Sequence, residues 1–349
     1  MNSHLAIALV LSASAVAFSA QQPRVSDTQF NTESVGSGLS ATVTRFQHSD
    51  QQLWVGYEVP SLPRDHSSSC GDSSGSSDDG CCGEYHLEGS RDGMTETTQR
   101  SEPGRIYVLL RLDHGAVTKV RPVNAGCHLN AGGVPFTWLT DVQPEDSVRF
   151  LSHLSQSATE NPVLDGALAS LALHAAPSAT GELATLAASP SSTRLREKSA
   201  FWLGAQRGHD GLLALRKLVH SEQDPKLREK LAFDLSINRD PAAIDDLIDL
   251  AKSDENGRVR SQAIFWVAQK AGKKASAALT NAIENDPDQQ VKKKAVFGLS
   301  QLPKDEGVPE LIHVAQTNTN PAVRKDAFFW LGQSGDPRAL AYLESVLKQ

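Results

Sequence analysis

LREKSAFWLG (195–204), LREKLAFDLS (227–236), VRSQAIFWVA (259–268), VKKKAVFGLS (291–300) and VRKDAFFWLG (323–332) align without a gap at a period of 32 residues. A weaker copy, VLDGALASLA (163–172), fits one period earlier. Six units of one design follow, and a strict period of this length is the mark of a stacked-repeat architecture.

Each column of the alignment has a physical meaning. Ser192, Asp224, Asn256, Asp288 and Asn320 precede the quoted segments and are good helix N-caps. Pro225 and Pro321 follow a cap directly, where proline is pre-set for a first helical turn. Leu195, Ser199, Ala200 and Leu203 fall on one face at 100° per residue, which predicts a first helix. Asp240-Pro241 and Asp336-Pro337 signal the start of a second helix. Leu183, Leu215, Leu247, Leu279, Leu311 and Leu343 form an unbroken column within it. A helix hairpin with one apolar seam cannot bury that seam alone, so the units must stack into an α-solenoid. Residues 143–159, containing PEDSVRFLSHLSQ, predict a helix that leads into the first unit at about residue 160.

The columns V-R-x-x-A-x-x-x-L-G, followed by GDPRAL (335–340), resemble HEAT-like repeats of the short phycobilisome-lyase type over residues 160–349. As a whole the chain resembles exported bacterial HEAT-repeat proteins without an assigned activity. The resemblance implies a binding scaffold first and an enzyme, or enzyme subunit, of the lyase-like group second. A structural envelope component is the third alternative. Deoxyhypusine hydroxylase, which has a similar fold, binds iron through His-Glu pairs, and this chain has no His-Glu dipeptide. No catalytic, cofactor-binding or metal-ligating residue is therefore assigned, and no cofactor is expected.

The first half reads differently. Ser40–Phe46 and Leu53–Val59 predict one β-hairpin, and Arg105–Leu112 with Ala116–Val123 predict another around Asp113-His114-Gly115. Pro135–Val142 adds a short strand, giving a small β-rich domain over 21–142. Residues 65–80, DHSSSCGDSSGSSDDG, read as an acidic low-complexity loop. Within it Gly71–Gly75 matches G-x-S-x-G, but no strand precedes it and no helix follows it, so Ser73 lacks the context of a nucleophile.

Residues 5–18, LAIALVLSASAVAF, with small residues after them, predict a secretory signal peptide over residues 1–20. The expected location is periplasmic or extracellular, with no membrane span after cleavage. In that compartment the four cysteines, Cys70, Cys81, Cys82 and Cys127, favour two disulfides. A Cys81–Cys82 bond would be strained, so Cys70 is expected to take one of the pair and Cys127 the other. A metal site of these thiols with His66, His86 or His128 is the alternative, although C-x-x-C pairs are absent.

Charge excludes one class of partner. The chain carries 34 basic and 41 acidic residues, a net of −7, and that excess lies entirely before residue 151. Neither half has the basic balance that phosphate backbones attract, so the expected partner is another protein, not nucleic acid.

Two ladders run through the repeats. Arg196, Arg228, Arg260, Lys292 and Arg324 are expected to tie neighbouring units together through the polar caps. Phe201, Phe233, Phe265, Phe297 and Phe329, with Trp202, Trp266 and Trp330 beside them in alternate units, form the candidate protein-binding residues. The Phe column lies about 175° from the centre of the helix seam at 100° per residue. Helices about 8–10 Å apart exceed the aromatic contact distance, so the rings are expected to be interleaved or exposed rather than simply stacked. Wedging between first helices is the structural alternative to a binding stripe.

Overall fold

A computed structural model describes residues 22–49, 51–63, 81–82, 84–88, 98–99, 104–190, 192–270 and 272–348. Residues 1–20, expected as a signal peptide, the whole acidic stretch 65–80 with His66, Cys70 and Ser73, and the side chains of Cys81 and Cys82 lie outside what it describes.

The N-terminal part holds strands β1 (Val25–Ser26), β2 (Phe30–Ser34), β3 (Leu53–Pro60), β4 (Cys81–Cys82), β5 (Glu84–His86), β6 (Thr98–Gln99), β7 (Arg105–Asp113), β8 (Ala116–Asn124), β9 (His128–Asn130) and β10 (Phe136–Thr140), with helix α1 (Leu39–Gln47) between β2 and β3. A five-stranded sheet runs β2-β10-β3-β7-β8, and a three-stranded sheet runs β1-β9-β5. The hairpin β7–β8 turns at His114 and Gly115, both at positive φ, which suits a two-residue turn.

The segment 40–46 is helix rather than strand, which corrects the first expected hairpin. Its β-branched Thr42, Val43 and Thr44 suggest a strand, but topology decides otherwise. Both β2 and β3 run parallel to β10, which lies between them, and parallel strands need a crossover rather than a hairpin. Helix α1 supplies it. Leu39, Thr42 and Val43 are buried and Phe46 packs behind them, a helical spacing of i, i+3, i+4 and i+7.

The five-stranded sheet is covered on both faces. Val55, Tyr57, Val108 and Leu110 point to the helices, whereas Trp54, Tyr107, Leu109, Phe136 and Trp138 pack under the small sheet with Leu87, Leu129 and Cys127. Cys127 is fully buried and is not a free thiol.

Thirteen helices follow among the described residues. Helix α2 (Pro144–Ser157) leads into six pairs: α3 (Asn161–Leu173) and α4 (Ser178–Ala187), α5 (Thr193–Gln206) and α6 (Gly208–Ser221), α7 (Pro225–Ile237) and α8 (Ala243–Ser253), α9 (Gly257–Lys270) and α10 (Lys273–Asn285), α11 (Gln289–Gln301) and α12 (Lys304–Thr317), and α13 (Pro321–Gln333) and α14 (Pro337–Leu347). The leucine column is buried from Leu183 through Leu311. One apolar core runs from the sheet into the repeats. That explains the degenerate first unit. Helix α3 packs on β8 so tightly that a Cβ at Gly166 would sit 1.9 Å from the Val120 carbonyl oxygen. A helix covered on several sides is apolar around most of its girth, as NPVLDGALASLAL is, with Asp165 its one exposed charge. At the same junction His174 is fully buried and its pKa is pushed down to about 4, because burial disfavours the imidazolium and Arg207 stands nearby.

Candidate protein-binding surface

The first helices α5, α7, α9, α11 and α13 lie side by side, and their ends are fixed before any surface is formed. Asp224, Asn256, Asp288 and Asn320 each accept a hydrogen bond from the backbone N–H two residues on, and Ser192 accepts one from Leu195. These bonds satisfy donors that a helix start leaves open.

The basic ladder then locks unit to unit, although its partners are not the N-caps. They lie two residues ahead of the caps, at the C-terminal ends of the second helices. Arg260 donates to Asp286 at 2.7 and 2.9 Å and to the Asp254 and Glu255 carbonyl oxygens at 2.7 and 3.3 Å. Arg228 repeats this with Asp254 at 2.8 and 3.2 Å and the Glu222 carbonyl at 2.9 Å, and Arg196 pairs with Glu222. Each of Glu222, Asp254 and Asp286 also accepts from the backbone N–H of the following N-cap. A single guanidinium therefore spans two inter-unit loops, and its planar fork suits the bidentate contact. Lys292 keeps only carbonyl bonds, to Ile283 and Glu284, and Arg324 keeps one to Asn318.

With the helices so aligned, the aromatic column becomes a continuous ridge. Trp202, Trp266 and Trp330 pack against the apolar core. The five phenylalanines stand outside it: Phe201, Phe233, Phe265 and Phe297 are half-buried, and Phe329 is 56% exposed. What fills each gap depends on the residue after the phenylalanine. Trp266 lies between Phe233 and Phe265, at 5.0 and 4.9 Å, and Trp330 lies between Phe297 and Phe329, at 5.2 and 5.0 Å. The tryptophan column is broken by Asp234 and Gly298. At Asp234 the gap closes, and Phe201 stacks on Phe233 with centroids 6.3 Å apart and planes 12° apart. That pair departs from the expected interleaving: ring-bearing side chains lean across the helix spacing when no indole holds them apart. Beside Gly298 the gap takes Lys294, whose Nζ lies 5.5 Å from the Phe265 centroid and 5.8 Å from that of Phe297. Nothing in the aromatic column itself signals Lys294; only its place one turn before Gly298 does.

Asp234 is almost fully buried. Burial raises its carboxyl well above the ordinary aspartate value, with Glu197 adding to the rise and Lys230 opposing it.

The second helices are less closely packed between α8 and α10. A cleft of about 780 Å³ separates α8 from α10, floored by Ile248, Ala251, Ile264, Ala278 and Ala282. Alanines at facing positions leave the helices without side chains long enough to close it. In the N-terminal part, His86 and His128 flank Glu84 at 3.9 and 3.6 Å. No group of three metal-ligating residues is gathered among the described residues, and no helix among them is long and apolar enough to cross a membrane.

A family model described as HEAT repeats matches residues 181–267 and 276–349. Over those residues the units are similar to HEAT repeats. Solved structures that align with this chain include human deoxyhypusine hydroxylase in complex with glycerol, at 18% identity over 58% of this chain and 90% of that one, with a TM-score of 0.32. The complex of CpcE and CpcF of phycocyanin lyase from Nostoc sp. PCC7120 aligns at 22% identity over 44% of this chain and 98% of that one, TM-score 0.34. Kap121p aligns at 13% identity over 58% and 27%, TM-score 0.38. No curated protein sequence matches the chain. At these identities no activity passes from those proteins to this one.

Proposed function

We propose that the chain is a non-catalytic protein-binding scaffold, and that the phenylalanine ridge of its HEAT-like repeats is the docking surface. One observation carries this reading. The tryptophans beside the ridge serve the core, whereas the phenylalanines do not, so folding alone does not account for an aromatic residue in five successive units. Contiguous apolar surface of this kind marks interaction sites, and aromatic anchors dominate their energetics. We further propose that the protein is exported after removal of residues 1–20, and that Cys70, Cys81, Cys82 and Cys127 form two disulfides. Thiol titration of denatured, unreduced protein should then find almost no free thiol; four would overturn both proposals.

The binding test is capture by the wild type beside a Phe201→Asp, Phe265→Asp, Phe329→Asp variant, with the captured protein then purified and titrated against both. A partner bound by the wild type and lost by a variant of unchanged helical circular dichroism supports the ridge. A variant that unfolds shows that the ridge is structural and removes the assignment.

A further inference from the structure

The ridge has a chemical polarity that its aromatic composition hides. Phe201 and Phe233 turn their faces to each other, and the faces of Phe265 and Phe297 both receive Lys294. The stacked pair Phe201 and Phe233 presents its edges outward, whereas Trp266 and Trp330 meet their flanking phenylalanines tilted or edge-on. An aromatic face is electron-rich and its edge carries the positive end of the quadrupole. At Phe201, Phe233, Phe265 and Phe297 one face is already taken by a ring or by Lys294, which limits stacking by a nucleobase or a sugar there. Where a face is so occupied, the edges that remain carry the positive end of that quadrupole.

The surroundings have the same sign. At 100° per residue, the positions seven, four and three residues before each phenylalanine share its outward face. Over the five helices these positions hold eight lysines and arginines against three carboxylates. Lys226, Arg258, Lys293 and Lys325 are exposed, and no ion pair holds them among the described residues. Of the ladder arginines, a separate set, Arg196, Arg228 and Arg260 are already neutralised by carboxylates of the inter-unit loops. A chain whose net charge is −7 thus carries a basic strip along its aromatic ridge.

Spacing adds a third constraint. Packed helices repeat every 8–10 Å or so. A polyproline II segment rises about 9 Å per three-residue turn and returns every third side chain to the same face. A β-strand sends residues i and i+3 to opposite faces and does not match.

We propose that the ridge binds an acidic peptide segment in polyproline II conformation, with an apolar side chain at every third residue; this deepens the docking reading above and rests on it. The apolar side chains seat at successive helix–helix steps, and the carboxylates between them meet the ring edges and the lysines.

The probe is a fluorescently labelled peptide of five Leu-Glu-Pro triplets, titrated by anisotropy into the full chain. The same peptide with Gln for Glu, the same with Ser for Leu, and a 15-mer of thymidylate are the comparisons. The acidic peptide should bind at least tenfold more tightly than all three. A Lys226→Glu, Lys293→Glu, Lys325→Glu variant, altered only at exposed sites, should weaken it at least tenfold, and Phe265→Asp, Phe297→Asp should abolish it. If the Gln peptide binds equally well and is lost only in the Phe variant, the ridge docks peptides but the acidic proposal is overturned. If thymidylate binds more tightly, or no triplet peptide binds below millimolar concentration, the proposal is overturned while the capture experiment still decides the docking reading. If the acidic peptide binds the folded Phe variant undiminished, the ridge is not the site and both readings fall.

Discussion

Replacing Arg260 by methionine should be among the most damaging single changes in the solenoid. Its side chain is 9% exposed and that of Asp286 is 6% exposed, so the pair is shielded from water. Removal of the guanidinium strands the Asp286 carboxylate and also takes donors from the carbonyls of Asp254 and Glu255. Breaking one side of a buried pair costs about 3–5 kcal/mol, because an uncompensated charge is left behind. Asp286 keeps one donor, the Asp288 N–H, which argues for the lower end, about 3 kcal/mol by the same reasoning. Removing both charges, as Arg260→Met with Asp286→Leu, leaves no stranded ion and should return most of that loss. The assay is urea unfolding followed by circular dichroism on wild type, both single variants and the double variant. Hydrogen exchange would locate the lost protection at the two loops, 254–256 and 286–288. A single-variant loss under about 1 kcal/mol would place Arg260 among ordinary surface ion pairs and refute the reasoning. So would a double variant whose loss equals the sum of the two singles, since the charges would then be uncoupled.

Three further outcomes are expected. Asp234 has a folded-state carboxyl raised by burial, so the folded protein prefers it protonated, and stability is lost as pH rises from the unfolded value toward the raised one. Asp234→Asn should therefore raise the urea midpoint at pH 7 and reduce the gain that the wild type shows on acidification toward pH 5; a lower midpoint at pH 7 would count against this account. Gly166→Ala places a methyl against the Val120 carbonyl, and by the usual cost of overpacking should lose about 1–3 kcal/mol. At Gly332 a Cβ meets nothing within 4 Å, so Gly332→Ala should gain about 0.5–1 kcal/mol in the same urea assay; equal effects at the two sites would contradict the packing described. Phe329→Asp should change stability by no more than about 0.5 kcal/mol, as at other exposed positions, whereas Trp330→Asp, which removes a core contact, should cost several times more. A thermal melt of both variants separates ridge from core, and equal losses would merge them.

The repeats are legible in the sequence because each column answers to one local cause. A cap needs a short polar side chain, a seam needs leucine every 32 residues, and both survive translation into coordinates. The N-terminal part is legible only where the cause is local. The hairpin at His114-Gly115 is, because two residues at positive φ make that turn. Helix α1 is not, because its conformation is imposed by the parallel pairing of β2 and β3 to β10, a relation between segments about a hundred residues apart. The aromatic ladder is half legible. Its residues and their position opposite the seam can be read directly, but which gap stacks and which takes Lys294 depends on Asp234 and Gly298 in a neighbouring column. The carboxylate partners of the arginines were hidden for a simpler reason: they sit 26 residues downstream, at the far end of the same unit's second helix, beside a more conspicuous row of caps.

The two ladders are more than neighbours on the same helices. A docking ridge built from five separate helices has fixed spacing only if those helices cannot slide or splay, and apolar seams alone permit some of both. The arginine forks oppose that motion at one edge, since each must hold two loops at hydrogen-bond distance at once. Between the second helices the cleft from α8 to α10 reaches Asp286 and Pro287 of the loop that Arg260 clasps, so the fork closes one end of a gap that small residues leave open. Stiffness is thus concentrated along the edge where the loops meet the first helices, and the ridge lies on those helices. Lys292 and Arg324 have no inter-unit carboxylate, so the restraint weakens toward α11 and α13. The most exposed ring, Phe329, lies at that looser end. A partner that reads spacing along the ridge should accordingly be held most specifically at Phe201, Phe233 and Phe265, and adjust at Phe297 and Phe329.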